Sequence, residues 1–171
     1  MPNTKPVLDN PELIDSIYSK SKDLGIDIFP IGSITKKNQG IELSEIGLMF
    51  EKGIVAISDG EKTVQNSQMM RNALEYAKMF DIPVINYPQD ICLSNNGFFH
   101  ESLFSTKMGL PANPSIAESI MVYRDLEIAH YVGGKIHIPL VSTKKTVELI
   151  KEYKKKGLII TADTTPYHIG F

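Results

Sequence analysis

The chain has 171 residues, 42% of them hydrophobic and 22% charged, which is the make-up of one globular domain with a core rather than a disordered or fibrous chain. Eighteen basic against twenty acidic residues leave a net charge of -2, so there is no electrostatic footprint for nucleic acid, and Lys154-Lys155-Lys156 simply closes a helical pattern. The single cysteine, Cys92, excludes an internal disulfide and a CxxC site, and no apolar run approaches the roughly 18 residues of a membrane span. With no signal-peptide pattern at the N-terminus, the expected compartment is the cytoplasm.

In chain order, short β-branched apolar runs alternate with amphipathic helices. Asn10 and Pro11 signal a first helix carrying Leu13, Ile14, Ile17 and Leu24 on one side and stopping at Gly25, followed by a strand over Ile26–Ile31. A second helix is expected over Leu43–Lys52, a strand over Gly53–Ser58, and a third helix over Gln65–Phe80, whose Met69 and Met70 read as core filler rather than a metal site. A strand over Pro83–Tyr87 precedes a long excursion, Gln89–Pro114, with a Ser94-Asn95-Asn96-Gly97 turn and a short helix within His100–Met108. Then come a helix over Ser115–Val132, a strand over Lys135–Val141, a helix over Thr143–Lys156 closed by Gly157, and a strand over Leu158–Ala162.

Strands separated by helices imply parallel pairing, hence an α/β fold in a single domain, 1–171. Neither GxGxxG nor GxxxxGK[ST] occurs, which counts against a nucleotide-binding doubly wound sheet. A full (β/α)8 barrel needs about 250 residues, so five βα units make only part of one. In either architecture, reactive side chains belong at the carboxyl ends of the strands. Asp59 follows one strand directly and reads equally as a turn residue. Asp163 and His168 bracket a Thr-Thr-Pro turn, and His137 lies within a strand as a half-buried histidine. No two histidines have metal-gathering spacing, no Ser or Cys sits in a nucleophile elbow, and Cys92 reads as an inert small side chain.

Those strand ends carry a resemblance. MPNTKPVLDNPEL, FPIGSITK, GIVAISDG, ALEYAKMFDIPVI, HESLFSTKMGLPANPSIAESIMVYRDLEIA, KIHIPLVSTKKTVELI and TADTTPYH, in that order from Met1 to about Phe171, resemble the middle of a class I dihydroorotase, an amidohydrolase-type (β/α)8 barrel. The resemblance implies the third to seventh βα units, with the parallel sheet as a segment of an incomplete barrel. It also implies a site in which two zinc ions activate a bridging water and polarise a ring amide, and a role in pyrimidine biosynthesis.

Carried over residue by residue, the family pattern departs from this chain. Its HxH pair and last Asp are expected to lie outside the matched span. Asp59 matches the acidic ligand, as a vestige. Asn86 is aligned, with a one-residue slip, to the fifth-strand His, and Leu140 to the sixth-strand His. Leucine cannot ligate zinc and an amide oxygen is a poor substitute for imidazole, so neither catalysis nor a bound cofactor is expected. Asn3 matches the Asn of the MPNT motif that helps hold the substrate carboxylate. The implied role is then a non-catalytic dihydroorotase-like protein, a structural partner of aspartate transcarbamoylase, or else a decaying copy. The alternative is a zinc-dependent hydrolase converting dihydroorotate to carbamoyl-aspartate with His137 or His168 recruited to the metal. That alternative is disfavoured by an expectation that His137 points away from the face of Leu140. A flavodoxin-like binding module is a third, weaker reading. Because apolar strands such as Ile54–Ile57 and Leu158–Ala162 would be left uncovered in a partial barrel, the chain is expected to oligomerise, aggregate, or pack with chains that complete the barrel.

Overall fold

The computed structural model describes residues 1–170 other than Asp23 and Asn95, so Asn95 of the expected excursion turn and Phe171 at the end of the family resemblance lie outside the described residues. In chain order the elements are α1 (Pro11–Ser21), β1 (Ile31–Gly32), α2 (Ile46–Glu51), β2 (Ala56–Ser58), α3 (Ser67–Met79), β3 (Val84–Ile85), α4 (Ile91–Ser94) and β4 (Phe99–His100), then α5 (Leu103–Lys107), β5 (Ala112–Asn113), α6 (Ile116–Val132), β6 (Ile136–Ile138), α7 (Lys144–Lys155), β7 (Ile160–Ala162) and α8 (Pro166–Gly170), with a single 3-10 turn at Lys36–Asn38.

The helices form where side chains can satisfy their open ends. Asn10 Oδ1 accepts from Leu13 N at 3.2 Å, Asn66 Oδ1 from Gln68 N and Met69 N, and Thr143 Oγ1 from Thr146 N, each satisfying an orphan first-turn amide. At the other end of α6, Gly133 turns to φ 72 and its N–H closes onto Ala129 O, a left-handed cap that a side chain would strain.

β1, β2, β3, β6 and β7 pair in that order, all parallel. Strand order follows chain order with no reversal, so there is no switch point of the doubly wound kind, and the flavodoxin-like reading fails on topology. A five-stranded run with two edge strands is an incomplete (β/α)8 barrel. Successive residues alternate faces: Ile57, Val84, Ile136 and Ile160 form one register row, all 5% exposed or less, in the core beneath the helices. The next row, Ser58, Ile85, His137 and Thr161, stands on the opposite face. α3 packs on α6 and α6 on α7, bringing Met70, Leu74, Leu126, Ile150 and Tyr153 into the same core. Met70 is fully buried and Met69 packs against its edge, as core filler.

Three expectations change. α1 ends at Ser21, so Leu24 is 57% exposed instead of completing the apolar side. The first strand is Ile31–Gly32 rather than Ile26–Ile31, with Ile26 and Phe29 exposed. The run from Ile26 is apolar in sequence but has no strand to pair with until Ile31 reaches Ala56. The excursion holds α4 and α5 and also a small parallel ribbon, β4 with β5, where Gly97 lies so close to Ala112 that a Cβ would sit 2.3 Å from its carbonyl carbon. Of the strands expected to be apolar on both faces, Val55 and Ile159 are exposed while Ile54, Ile57, Leu158 and Ile160 are buried. No helix among the described residues is long and apolar enough to cross a membrane.

Candidate functional site

Clefts open at the carboxyl ends of the strands, and two of them hold the expected site residues. The larger, about 590 Å³, lies between β3, β6 and the β4–β5 ribbon, and its lining includes Tyr87, Phe99, His100, Asn113, Leu140 and His168. The smaller, about 370 Å³, lies over β2 among the amide side chains of Asn38, Gln65, Asn66 and Gln89.

Asp59 is 2% exposed, and both of its oxygens are in use. Oδ1 accepts from Ile34 N and Thr35 N at 2.9 Å each and from Ser33 Oγ at 3.2 Å, while Oδ2 accepts from Thr35 Oγ1 at 2.5 Å. The carboxylate is therefore the anchor that ties the turn after β1 to the end of β2. Burial pushes its pKa above the ordinary 3.8, and the hydroxyl and amide donors of Thr35, Ser33 and Ile34 oppose that rise. Asn3 sits on this corner as well: a Cβ on Gly60 would lie 3.3 Å from the Asn3 Cβ, so the MPNT segment rests against the end of β2.

Asn86 turns the other way. It is 1% exposed, its Nδ2 donates to Asp125 Oδ2 at 2.6 Å and its Oδ1 accepts from Val64 N at 3.1 Å. Asp125, fully buried on α6, also takes Arg124 Nε at 2.9 Å on Oδ1, and the Arg124 guanidinium extends to the carbonyls of Val64 and Gln65. Burial drives the Asp125 carboxyl above its ordinary range, with Arg124 and Asn86 pulling it back. Asn86 thus belongs to a buried clamp between the sheet and α6 and is not in the lining of the larger cleft. The residue that lines the cleft is Tyr87.

Leu140 lines the larger cleft, 39% exposed, in the left-handed region at φ 58, which a branched side chain rarely adopts. Its N–H donates to Asp163 Oδ1 at 2.8 Å, and Asp163 Oδ2 lies 3.0 Å from His137 Nε2, with His137 Nδ1 at 2.8 Å from Thr161 Oγ1. Leu140 is in the lining of the larger cleft and His137 is not, although the two residues share Asp163 as a partner, Leu140 through its backbone N–H and His137 through its ring. β6 ends at Ile138, and Leu140 lies in the turn that follows it. Both His137 nitrogens lie within hydrogen-bond distance of a partner, Thr161 in β7 and Asp163 just after it, and His168 Nδ1 lies 3.0 Å from Thr165 Oγ1.

These residues do not fit a binuclear zinc centre. Leu140 offers no donor atom, and Asp59 has spent both oxygens. The Tyr87 phenol is pushed above its ordinary 10.0 by burial and by the carboxylates of Glu118 and Glu61, so it stays a neutral, weak ligand. Among the described residues no three His, Cys, Asp or Glu side chains gather as a metal set.

The profile of the dihydro-orotase-like family matches residues 1–146. The chain belongs to that family. A dihydroorotase from Acetivibrio thermocellus is 47% identical over 169 residues, and one from Endomicrobium trichonymphae is 44% identical over 169 residues. Each alignment covers 98% of this chain and 40% of the relative, so the chain spans about two-fifths of the curated dihydroorotases it matches. Among solved structures, an L-hydantoinase (dihydropyrimidinase) from Arthrobacter aurescens superposes with a TM-score of 0.72 at 16% identity, over 97% of this chain and 38% of that one. A D-hydantoinase gives 0.69 at 17% identity, over 95% and 37%. At such identities the likeness is one of fold, and it places the five parallel strands within a (β/α)8 barrel.

Proposed function

We propose that this dihydro-orotase-like chain serves pyrimidine biosynthesis as a non-catalytic member of its family, a structural partner of aspartate transcarbamoylase rather than a hydrolase. What supports this reading is the state of the strand ends: the cleft where the resemblance implies two His ligands is lined by Leu140 and Tyr87, and Asp59 is committed to Ser33, Ile34 and Thr35. Asn3, which lies beside Gly60, is proposed to retain the carboxylate contact that the resemblance implies, which alone performs no chemistry. No resident metal is proposed, and the compartment proposed is the cytoplasm.

The edges β1 and β7 and the exposed apolar residues Val55 and Ile159 support pairing with the strands that complete a barrel, in an oligomer or with another chain. The test is hydrolysis of dihydroorotate by the purified chain with excess zinc, alongside sedimentation with aspartate transcarbamoylase. The reading expects no turnover and a co-sedimenting complex. Turnover would refute the non-catalytic part, and independent sedimentation at micromolar concentration would refute the partnership.

A further inference from the structure

The Asn96-Gly97 step leads into the β4–β5 ribbon and is left unused by the proposed scaffold role. Asn96 is the one asparagine of the chain that is followed by glycine. It is exposed, its backbone lies at φ 57, and among the described residues its side chain has no hydrogen-bond partner. Its amide carbon is therefore free to turn towards the next main-chain nitrogen, and Gly97 carries no side chain to shield that nitrogen. One bond stands in the way: Gly97 N–H donates to Ser94 O at 2.7 Å and must let go before the nitrogen can react. Most other asparagines are unsuited on their own terms. Asn10 and Asn113 precede proline, which has no N–H, and Asn38 and Asn86 are buried. Asn66 and Asn72 each accept a hydrogen bond from Gln68.

We propose that Asn96 is a modification site, at which spontaneous deamidation to isoaspartate releases the β4–β5 ribbon from the wall of the larger cleft. The Gly97 nitrogen bonds to Asn96 Cγ, the Cγ–Nδ2 bond breaks, and ammonia leaves with the proton given up by Gly97 N–H. Water then opens the five-membered imide. Opening at Cγ gives aspartate with the main chain unchanged, and opening at the main-chain carbonyl carbon gives isoaspartate, whose main chain runs through Cβ and Cγ. The two products act differently on the ribbon. Aspartate tolerates the left-handed backbone and only adds a charge to an exposed turn. Isoaspartate adds one carbon, about 1.5 Å of chain, directly before Gly97. Gly97 cannot absorb that length towards Ala112, because the two backbones already touch where a Cβ would sit 2.3 Å from the Ala112 carbonyl carbon. It moves away instead, and the bonds just beyond it, from Phe98 N and Phe99 N to Pro111 O at 3.1 and 3.3 Å, are lost. Phe98, Phe99 and His100 line the cleft, so its wall opens.

The test is a timed incubation of the purified chain in warm, mildly alkaline buffer. Peptide mapping by liquid chromatography and mass spectrometry locates each exchange of amide for carboxyl and separates aspartyl from isoaspartyl forms, and hydrogen exchange is then read on each form. Asn96 is expected to convert before any other asparagine, and faster in urea, which frees Gly97 N from Ser94. In the isoaspartyl form the Phe98 and Phe99 amides should exchange about tenfold faster, the scale of one lost hydrogen bond, while those of α3 and α6 keep their protection. The aspartyl form and the variant Asn96→Asp should keep the ribbon protected. Asn96→Gly, which takes φ 57 without strain, should show no conversion at this turn. A different asparagine converting first in the folded chain, conversion of Asn96 in urea alone, or an isoaspartyl form with its ribbon amides still protected would overturn the proposal.

Discussion

Replacing Asp125 with Ala removes the centre of the clamp that joins α6 to the end of β3. Its side chain is fully buried and holds three donors, Asn86 Nδ2 at 2.6 Å on one oxygen and two N–H groups of Arg124 on the other. Without it, the Asn86 amide loses its acceptor in a site closed to water, and the Arg124 guanidinium, only 16% exposed, keeps two carbonyl contacts but no counter-charge. Breaking one side of a buried ion pair is worth about 3–5 kcal/mol. For a chain of this size that corresponds to a fall in thermal midpoint of about 6–20 °C. Differential scanning calorimetry on Asp125→Ala, Asn86→Leu and the double variant measures it. The double variant should lose less than the sum of the singles by about 1–3 kcal/mol, because the second removal deletes the group that the first left unpaired. Additive losses, or an Asp125→Ala midpoint within about 2 °C of the parent, would refute the clamp.

Three further outcomes follow from single atoms. The Tyr153 hydroxyl is buried with no partner, so Tyr153→Phe should be neutral or stabilise by up to about 1 kcal/mol in a denaturant titration, where a loss of that size would reveal a missed partner. Leu140→Asn, at φ 58, should raise the thermal midpoint through relief of about 1 kcal/mol of left-handed strain. A lowered midpoint would show that the side chain's packing outweighs that strain. Because burial raises the pKa of Asp59 in the folded state, the native chain binds more protons than the unfolded one over the interval above 3.8, and this group's contribution to stability falls as pH rises through that interval. Asp59→Asn should flatten that part of the stability–pH curve while lowering stability throughout, and an unchanged slope would contradict the assignment.

How much of this was legible in the sequence depended on how local the cause was. Helix ends set by one or two neighbours, such as Asn10, Thr143 and Gly157, could be read directly, as could the parallel order that alternation implies. The first strand could not. Ile26–Pro30 has strand composition, but pairing is a property of Ala56 and Ile57, some 25 residues on. The β4–β5 ribbon, two residues to a strand, depends on Gly97 meeting Ala112 across the excursion and leaves no periodic trace. Asp59 was found as a residue but not as an anchor, since its partners Ser33 and Thr35 sit 26 and 24 positions earlier. Asn86 and Tyr87 show the sensitivity of a strand to register: one position decides whether a side chain meets α6 or the cleft.

The most direct test of the central account is zinc stoichiometry by mass spectrometry on the purified chain after incubation with excess zinc and desalting. Strand ends that carry Leu140, a neutral Tyr87 phenol and a committed Asp59 predict far less than one zinc per chain. Retention of about two zinc ions per chain, the load of an intact binuclear site, would contradict it.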